Sequence, residues 1–159
     1  MLEIRAAQAE DVGTILKLIR GLAEYEHEPH AVEATEQDLL RDGFGDHPRF
    51  HCALAEWNGE PVGFALYFYN YSTWKGRQGI FLDDLFVNPE HRGKGIGKAL
   101  LLHVARIAAA QNCGRYEWLV LDWNTPAIEF YESLGGKRMK QWLPVRVEGQ
   151  ALQQLAKKT

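Results

Sequence analysis

The chain has 159 residues, of which 46% are hydrophobic and 25% charged, and its formal net charge is −3. This composition is typical of one globular domain with one core, and it offers no broad basic field for nucleic acid. No apolar run approaches the ~20 residues that span a bilayer, and the start lacks the regions of a signal peptide, so we expect a single cytoplasmic domain over residues 1–159 that binds no membrane.

The first third of the chain predicts a strand and two helices. Residues 2–6 form a short apolar strand, and Glu10 and Asp11 open a helix whose apolar residues recur at helical spacing up to Ala23. A second helix begins after Thr35, where a capping residue is followed by acidic residues. It is expected to end near Gly43.

The middle of the chain predicts an antiparallel sheet. Residues 50–57 and 61–69 read as two strands joined by Asn58 and Gly59, which supply the positive φ angles of a tight hairpin. Residues 80–87 form a third strand that is mostly apolar but carries Asp83 and Asp84. Adjacent side chains of a regular strand point to opposite faces, so only one of these two carboxylates is expected to reach a given cleft.

The last third predicts a helix from Gly95 to Ala110, a strand over residues 116–121, and a helix over residues 125–134 that Gly135 ends. A last strand is expected near residues 143–147, followed by a short helix. The resulting order β-α-α-β-β-β-α-β-α-β predicts one mixed α/β domain.

The cysteines and histidines suggest no metal site. Cys52 and Cys113 are far apart and lack a ligand-type partner spacing, so we expect buried reduced thiols. None of the six histidines forms a pair on a predicted helix, and no metal is expected.

A glycine-rich turn follows the third strand of the sheet and precedes a helix. In the run Arg92-Gly93-Lys94-Gly95-Ile96-Gly97-Lys98, glycines let the backbone approach an anion, and the helix start presents unpaired N–H groups. Three cations add positive charge, whereas acidic residues outnumber Arg41, the one basic residue, between Glu24 and Asp46 and suit a cation. The spacing differs from Gly-x-Gly-x-x-Gly and from the Gly-Lys-Ser/Thr of a nucleotide triphosphate loop.

The motif Arg-x-x-Gly-x-Gly, with the strand before it and the later segment Asn124-Thr125-Pro126-Ala127 to Phe130-Tyr131 and Gly135, resembles the GNAT superfamily of acyl-CoA-dependent N-acyltransferases. Residues 22–26, 38–48, 62–65 and 69–74 are similar to its diamine (spermidine/spermine) branch, including the thialysine-acetylating members. The resemblance implies a mostly antiparallel sheet with splayed central strands, flanked by helices.

The resemblance also implies acetyl-CoA as co-substrate and direct transfer of the acetyl group to an amine. It assigns the catalytic base to Asp83, acting through water, and the proton donor for the departing thiolate to Tyr131. The cofactor-binding positions it implies are Leu85, Phe86, Val87, Arg92, Gly93, Lys94, Gly95, Ile96, Gly97, Lys98, Asn124, Pro126, Ala127 and Tyr131. The acceptor-binding positions it implies are Tyr25, Glu26, Trp74, Asp83, Glu117, Trp118 and Leu119.

The sequence is compatible with more than one acceptor. Members of the branch tend to carry an acidic residue just before the tryptophan of the last strand, whereas this chain has Lys140 and Gln141 before Trp142. A diamine, a polyamine, thialysine or another lysine-like amino acid would fit. The alternatives are a protein or peptide N-acetyltransferase and a non-catalytic acyl-CoA sensor, and the branch further implies a homodimer.

Overall fold

The computed structural model describes all residues from 1 to 159 and divides the chain into two compact units, residues 1–119 and residues 120–159. The larger unit contains a 5-stranded sheet and three α-helices. Its elements are β1 (Leu2–Ala6), α1 (Val12–Tyr25), α2 (Glu36–Phe44), β2 (His51–Trp57), β3 (Glu60–Ser72), β4 (Arg77–Val87), α3 (Ile96–Ala110) and β5 (Tyr116–Trp118).

The sheet has the strand order β1-β2-β3-β4-β5. The first four strands pair antiparallel, and β5 lies parallel to β4 after the crossover through α3. The pairing with β5 covers only Ile80 to Leu82, so β4 continues alone on that edge from Asp83 to Val87. These pairings confirm the expected mixed, mostly antiparallel sheet.

The two sides of the sheet bury different helices. On one side the buried residues Leu54, Phe64 and Phe86 pack in one cluster with Ile15 and Leu16 of α1. On the other side α3 approaches so closely that a Cβ at Gly63 would lie 3.4 Å from Leu100. Each helix therefore buries its apolar stripe against one face of the sheet.

Local sequence signals fix most element ends. Asn58 and Gly59 have φ angles of 52° and 83° and form the predicted hairpin between β2 and β3. The Thr35 side chain accepts a hydrogen bond from the Asp38 N–H at 3.1 Å, and the Thr35 N–H donates one to the Asp38 carboxylate at 2.9 Å. This reciprocal cap starts α2 where the sequence predicted it.

The smaller unit contains α4 (Thr125–Ser133) and α5 (Gly149–Ala156). The predicted strand over residues 143–147 is wrong, since these residues form no regular element and Leu143 and Val145 are 82% and 90% exposed. Alternating apolar residues make a strand only where a neighbouring strand pairs with them. The strand predicted over residues 116–121 is also shorter, ending at Trp118.

No helix has both the length and the apolar character that a membrane crossing requires. Of the two thiols, Cys52 is buried in the sheet, and Cys113 is partly buried after α3.

Candidate active site

The glycine-rich turn, Arg92 to Lys98, follows a short 3-10 turn at Pro89–His91, and its last three residues form the start of α3. Gly93 and Gly95 both have a φ of 79°, which favours glycine, and a Cβ built on either would meet no atom within 4 Å. Gly95 is the N-cap of α3 and supplies no side-chain cap. The turn is thus an open stretch of backbone next to helix N–H groups, which fits a pyrophosphate.

The cations of this turn differ in their surroundings. The Lys94 Nζ lies 4.8 Å from the centre of the Trp57 ring. Arg92 lies against two rings and donates a hydrogen bond from its Nε to the Val87 carbonyl at 3.0 Å. Lys98 stands in the first turn of α3.

We expect Gly95→Val to weaken acetyl-CoA binding at least about tenfold, because a branched side chain would fill the space open to the pyrophosphate. Calorimetric titration with CoA measures the change. Valine is also strained at this φ, so Gly59→Val is the matched control: Gly59 has a φ of 83° and equally open surroundings in the β2–β3 hairpin. Equal CoA affinities of the two variants would show that this turn does not bind the cofactor.

The end of β4 offers backbone N–H groups on the edge that β5 leaves uncovered. A Cβ at Gly63 would lie 2.7 Å from the Phe86 carbonyl oxygen, so the Phe86 backbone faces β3. Backbone groups of successive residues in a strand face opposite edges, so those of Leu85 and Val87 face away from β3. Of the three predicted backbone donors, Leu85 and Val87 are therefore the suitable ones.

A register shift changes the expected geometry of the two strand carboxylates. Leu66 pairs with Asp84 and the next residue, Tyr67, pairs with Leu82, so Asp83 is an extra residue opposite none of β3. A bulge of this kind interrupts the alternation of side chains. The regular alternation on which the expectation for Asp83 and Asp84 rested is therefore interrupted at this position.

Glu26, Asp83 and Asp84 form one electrostatic cluster. Partial burial raises the pKa of Glu26, and the charge of Asp83 raises it further. Burial raises the pKa of Asp84 to about 7, with further contributions from Asp83 and Glu26. Asp83 itself is exposed. A bound cation would offset the repulsion that contributes to the raised pKa values of Glu26 and Asp84.

We expect Asp84→Asn to stabilise the protein more at pH 8 than at pH 5. Because Asp84 has a pKa of about 7 when folded against an ordinary 3.8, the folded state binds more protons between these values, and stability falls as pH rises through this window. The stability difference between variant and wild type should shrink by about 2 to 3 kcal/mol from pH 8 to pH 5.

Urea unfolding at both pH values measures this difference. Glu60→Gln, which removes an exposed carboxylate from the β2–β3 hairpin, is the control for charge alone. A difference between Asp84→Asn and wild type that does not vary with pH would show that Asp84 ionises as it does in the unfolded chain.

The remaining predicted acceptor residues of the larger unit lie along β4 and β5. Trp118 pairs with Leu82, next to Asp83, and its ring centre lies 4.9 Å from that of Tyr116. Glu117 and Leu119 are exposed. Trp74 is 81% exposed in the β3–β4 turn, and the strand from Arg77 to Asp83 spans about 20 Å at the usual rise per residue. Within one chain, Trp74 is therefore remote from the carboxylate cluster.

The predicted site residues of the smaller unit lie on α4. The Asn124 Oδ1 accepts from the Ala127 N–H at 3.4 Å, and Pro126 occupies the first turn. Tyr131 is partly buried, with its ring centre 5.5 Å from that of Phe130. A Cβ at Gly136 would lie 2.8 Å from the Tyr131 carbonyl oxygen, which explains the glycine there.

One glycine that the sequence did not single out, Gly21, sets the approach of α1 to β4. Gly21 lies inside α1, and a Cβ there would come within 2.8 Å of the Phe86 ring. A glycine within an otherwise regular helical pattern is the signal that could have indicated such a close approach.

Comparison with known proteins gives the same family for most of the chain. The profile of the Acetyltransferase (GNAT) family matches residues 14–136. A thialysine N-epsilon-acetyltransferase of Sus scrofa is 43% identical over 166 aligned positions, which cover 98% of this chain and 97% of the relative. A spermidine/spermine N(1)-acetyltransferase-like protein of Homo sapiens is 41% identical over 84% of this chain and 20% of its own length.

Among solved structures, an integron cassette protein from the mobile metagenome of V. cholerae superposes with a TM-score of 0.83 at 30% sequence identity. The match covers 99% of this chain and 98% of that protein.

Proposed function

The chain belongs to the GNAT acetyltransferase family, and from this premise we propose that it transfers acetyl from acetyl-CoA to the primary amine of a small diamine, polyamine or lysine-like amino acid. The cluster of Glu26, Asp83 and Asp84 carries the acceptor part of the proposal. An alkylammonium group supplies the positive charge that would relieve this cluster. The names of the two curated relatives fit the same class of acceptor.

The reaction proposed is direct attack in a ternary complex. The amine must lose a proton before it attacks, and Asp83, exposed at the bulge, accepts this proton through water. A bond forms between the amine nitrogen and the acetyl carbon while the carbon–sulfur bond breaks. Backbone N–H groups at Leu85 and Val87 stabilise the developing oxyanion, and Tyr131 protonates the departing thiolate. The attacking nitrogen then loses its remaining excess proton, and the Tyr131 oxygen regains a proton through water, which restores the hydroxyl group.

Acetyl-CoA is the acetyl donor of this reaction, and the backbone from Gly93 to Lys98 binds its pyrophosphate. The open surroundings of Gly93 and Gly95 support this assignment. The family resemblance also assigns contacts with acetyl-CoA to Asn124, Pro126 and Ala127 at the start of α4, and we include them in the proposal. The family match from residue 14 to residue 136 extends into both compact units, which supports one catalytic domain over residues 1–159.

The experiment that tests the function is a screen of amines with acetyl-CoA, in which released CoA is measured with a thiol reagent. We expect turnover with thialysine, ornithine, lysine, putrescine or spermidine. Mass spectrometry of the product shows which nitrogen is acetylated. Turnover of peptides with none of the small amines would replace the proposed acceptor class, and CoA binding without any turnover would make the protein a sensor.

We expect a homodimer in solution, because Trp74 is exposed and remote from the carboxylates of its own chain, whereas the family resemblance places it at the acceptor. A second copy would be needed to bring it there. Sedimentation at micromolar concentration should give a mass near twice 18.1 kDa. Particles of the monomer mass alone would contradict this arrangement.

A further inference from the structure

We propose that Arg92 is a positioning residue that ties the end of α1, and with it Glu26, to the glycine-rich turn. The inference rests on the proposed function in so far as Glu26 binds the acceptor. It differs from the phosphate-binding role that the motif suggests for this arginine. It means that the acceptor segment and the cofactor turn are joined through one side chain.

The contacts of Arg92 point toward α1 and β4. Its guanidinium carbon lies 4.6 Å from the centre of the Tyr25 ring and 5.4 Å from that of Phe86. Its Nε donates to the Val87 carbonyl at 3.0 Å, at the last residue of β4. The Nε–H of Arg92 and the face of its guanidinium are therefore both engaged by groups of the protein itself.

The approach of α1 to these groups is set by Gly21. Without a side chain, Gly21 lets the helix backbone come down onto the Phe86 ring. Tyr25 follows Gly21 by four residues and therefore lies on the same face of α1. The Tyr25 ring contacts the Arg92 guanidinium. Phe86 thus contacts both the helix and the arginine.

Tyr25 is the last residue of α1, and Glu26 is its C-cap. Residues 24–30 are all exposed, so few buried contacts hold this end of the helix. The Arg92–Tyr25 contact is well placed to fix the position of Glu26, whose charge interacts with Asp83 and Asp84 on β4.

A lysine at this position would keep the charge and lose the contact. Lysine has no N–H group that corresponds to the Nε–H of arginine, and its ammonium group has no planar face to stack on a ring. Arg92→Lys therefore separates positioning from charge. Lys98→Gln is the matched control, since it removes a cation from the same turn at a residue on the first turn of α3.

The first readout is hydrogen exchange of the free protein, which requires no activity. We expect amides of residues 24–28 to exchange at least fivefold faster in Arg92→Lys and in Tyr25→Leu, and at the wild-type rate in Lys98→Gln. The double variant should exchange no faster than the faster single variant, because both substitutions break the same contact. Unchanged exchange in Arg92→Lys, or effects that multiply in the double variant, would overturn the proposal.

The second readout is steady-state kinetics with the best amine of the screen. We expect Arg92→Lys to raise the KM for the amine about tenfold with little change in the Kd for CoA, and Lys98→Gln to do the reverse. If CoA affinity falls while the amine KM stays, Arg92 is a phosphate ligand and not a positioning residue. If the wild type acetylates no amine, the proposed function fails and the exchange experiment alone decides the role of Arg92.

Discussion

Replacing Tyr131 by phenylalanine is expected to lower kcat by about 10²-fold or more while the KM for acetyl-CoA stays nearly unchanged. The substitution removes only the hydroxyl group, and the ring keeps its packing beside Phe130. Without this donor the thiolate must leave unprotonated or take its proton from water, which slows the chemical step. Single-turnover kinetics with saturating substrates measures that step directly.

Phe130→Leu is the control for packing on the same helix, since it removes the neighbouring ring and keeps the tyrosine hydroxyl. We expect this variant to lose stability more than turnover. If Tyr131 is only a packing residue, Tyr131→Phe should keep its rate within about threefold of the wild type. That result would assign the protonation of the thiolate to bound water or to another group.

Replacing Asp83 by asparagine is expected to lower kcat for amine acetylation by about 10²-fold or more, since the acceptor nitrogen then lacks its base. Asp83 is exposed and occupies the extra position of the bulge, so acceptor and water can reach it. Its charge also raises the pKa of Asp84, so the variant should show a lower pKa for the Asp84 carboxyl. A pH series of kcat with saturating amine measures both effects.

Asp84→Asn is the matched control, with the same change of side chain one residue away. We expect a loss of about tenfold or less, because Asp84 is more buried and acts mainly through the charge of the cluster. A pKa of about 7 also suits a general base at neutral pH, which makes Asp84 the second candidate. A larger kcat loss in Asp84→Asn than in Asp83→Asn would assign the proton transfer to Asp84.

Much of the fold could be predicted from the sequence because its signals are local. The reciprocal cap between Thr35 and Asp38 and the positive φ angles at Asn58 and Gly59 depend on a few adjacent residues. The same holds for the glycine-rich turn, where Gly93 and Gly95 adopt the left-handed conformation that glycine favours. Together with the spacing of the motif, these features were sufficient to predict the family that the comparisons confirmed.

The sequence by itself determined the order of elements up to α4, the turn and the residue types of the candidate site, whereas the tertiary structure decided how those residues meet. The bulge at Asp83 depends on the register between β3 and β4, and the contact of Arg92 with Tyr25 depends on the approach of α1 to Phe86. The strand predicted over residues 143–147 did not form. Side-chain alternation and motif spacing are properties of one segment, but strand pairing, register and helix approach are set by packing between distant segments.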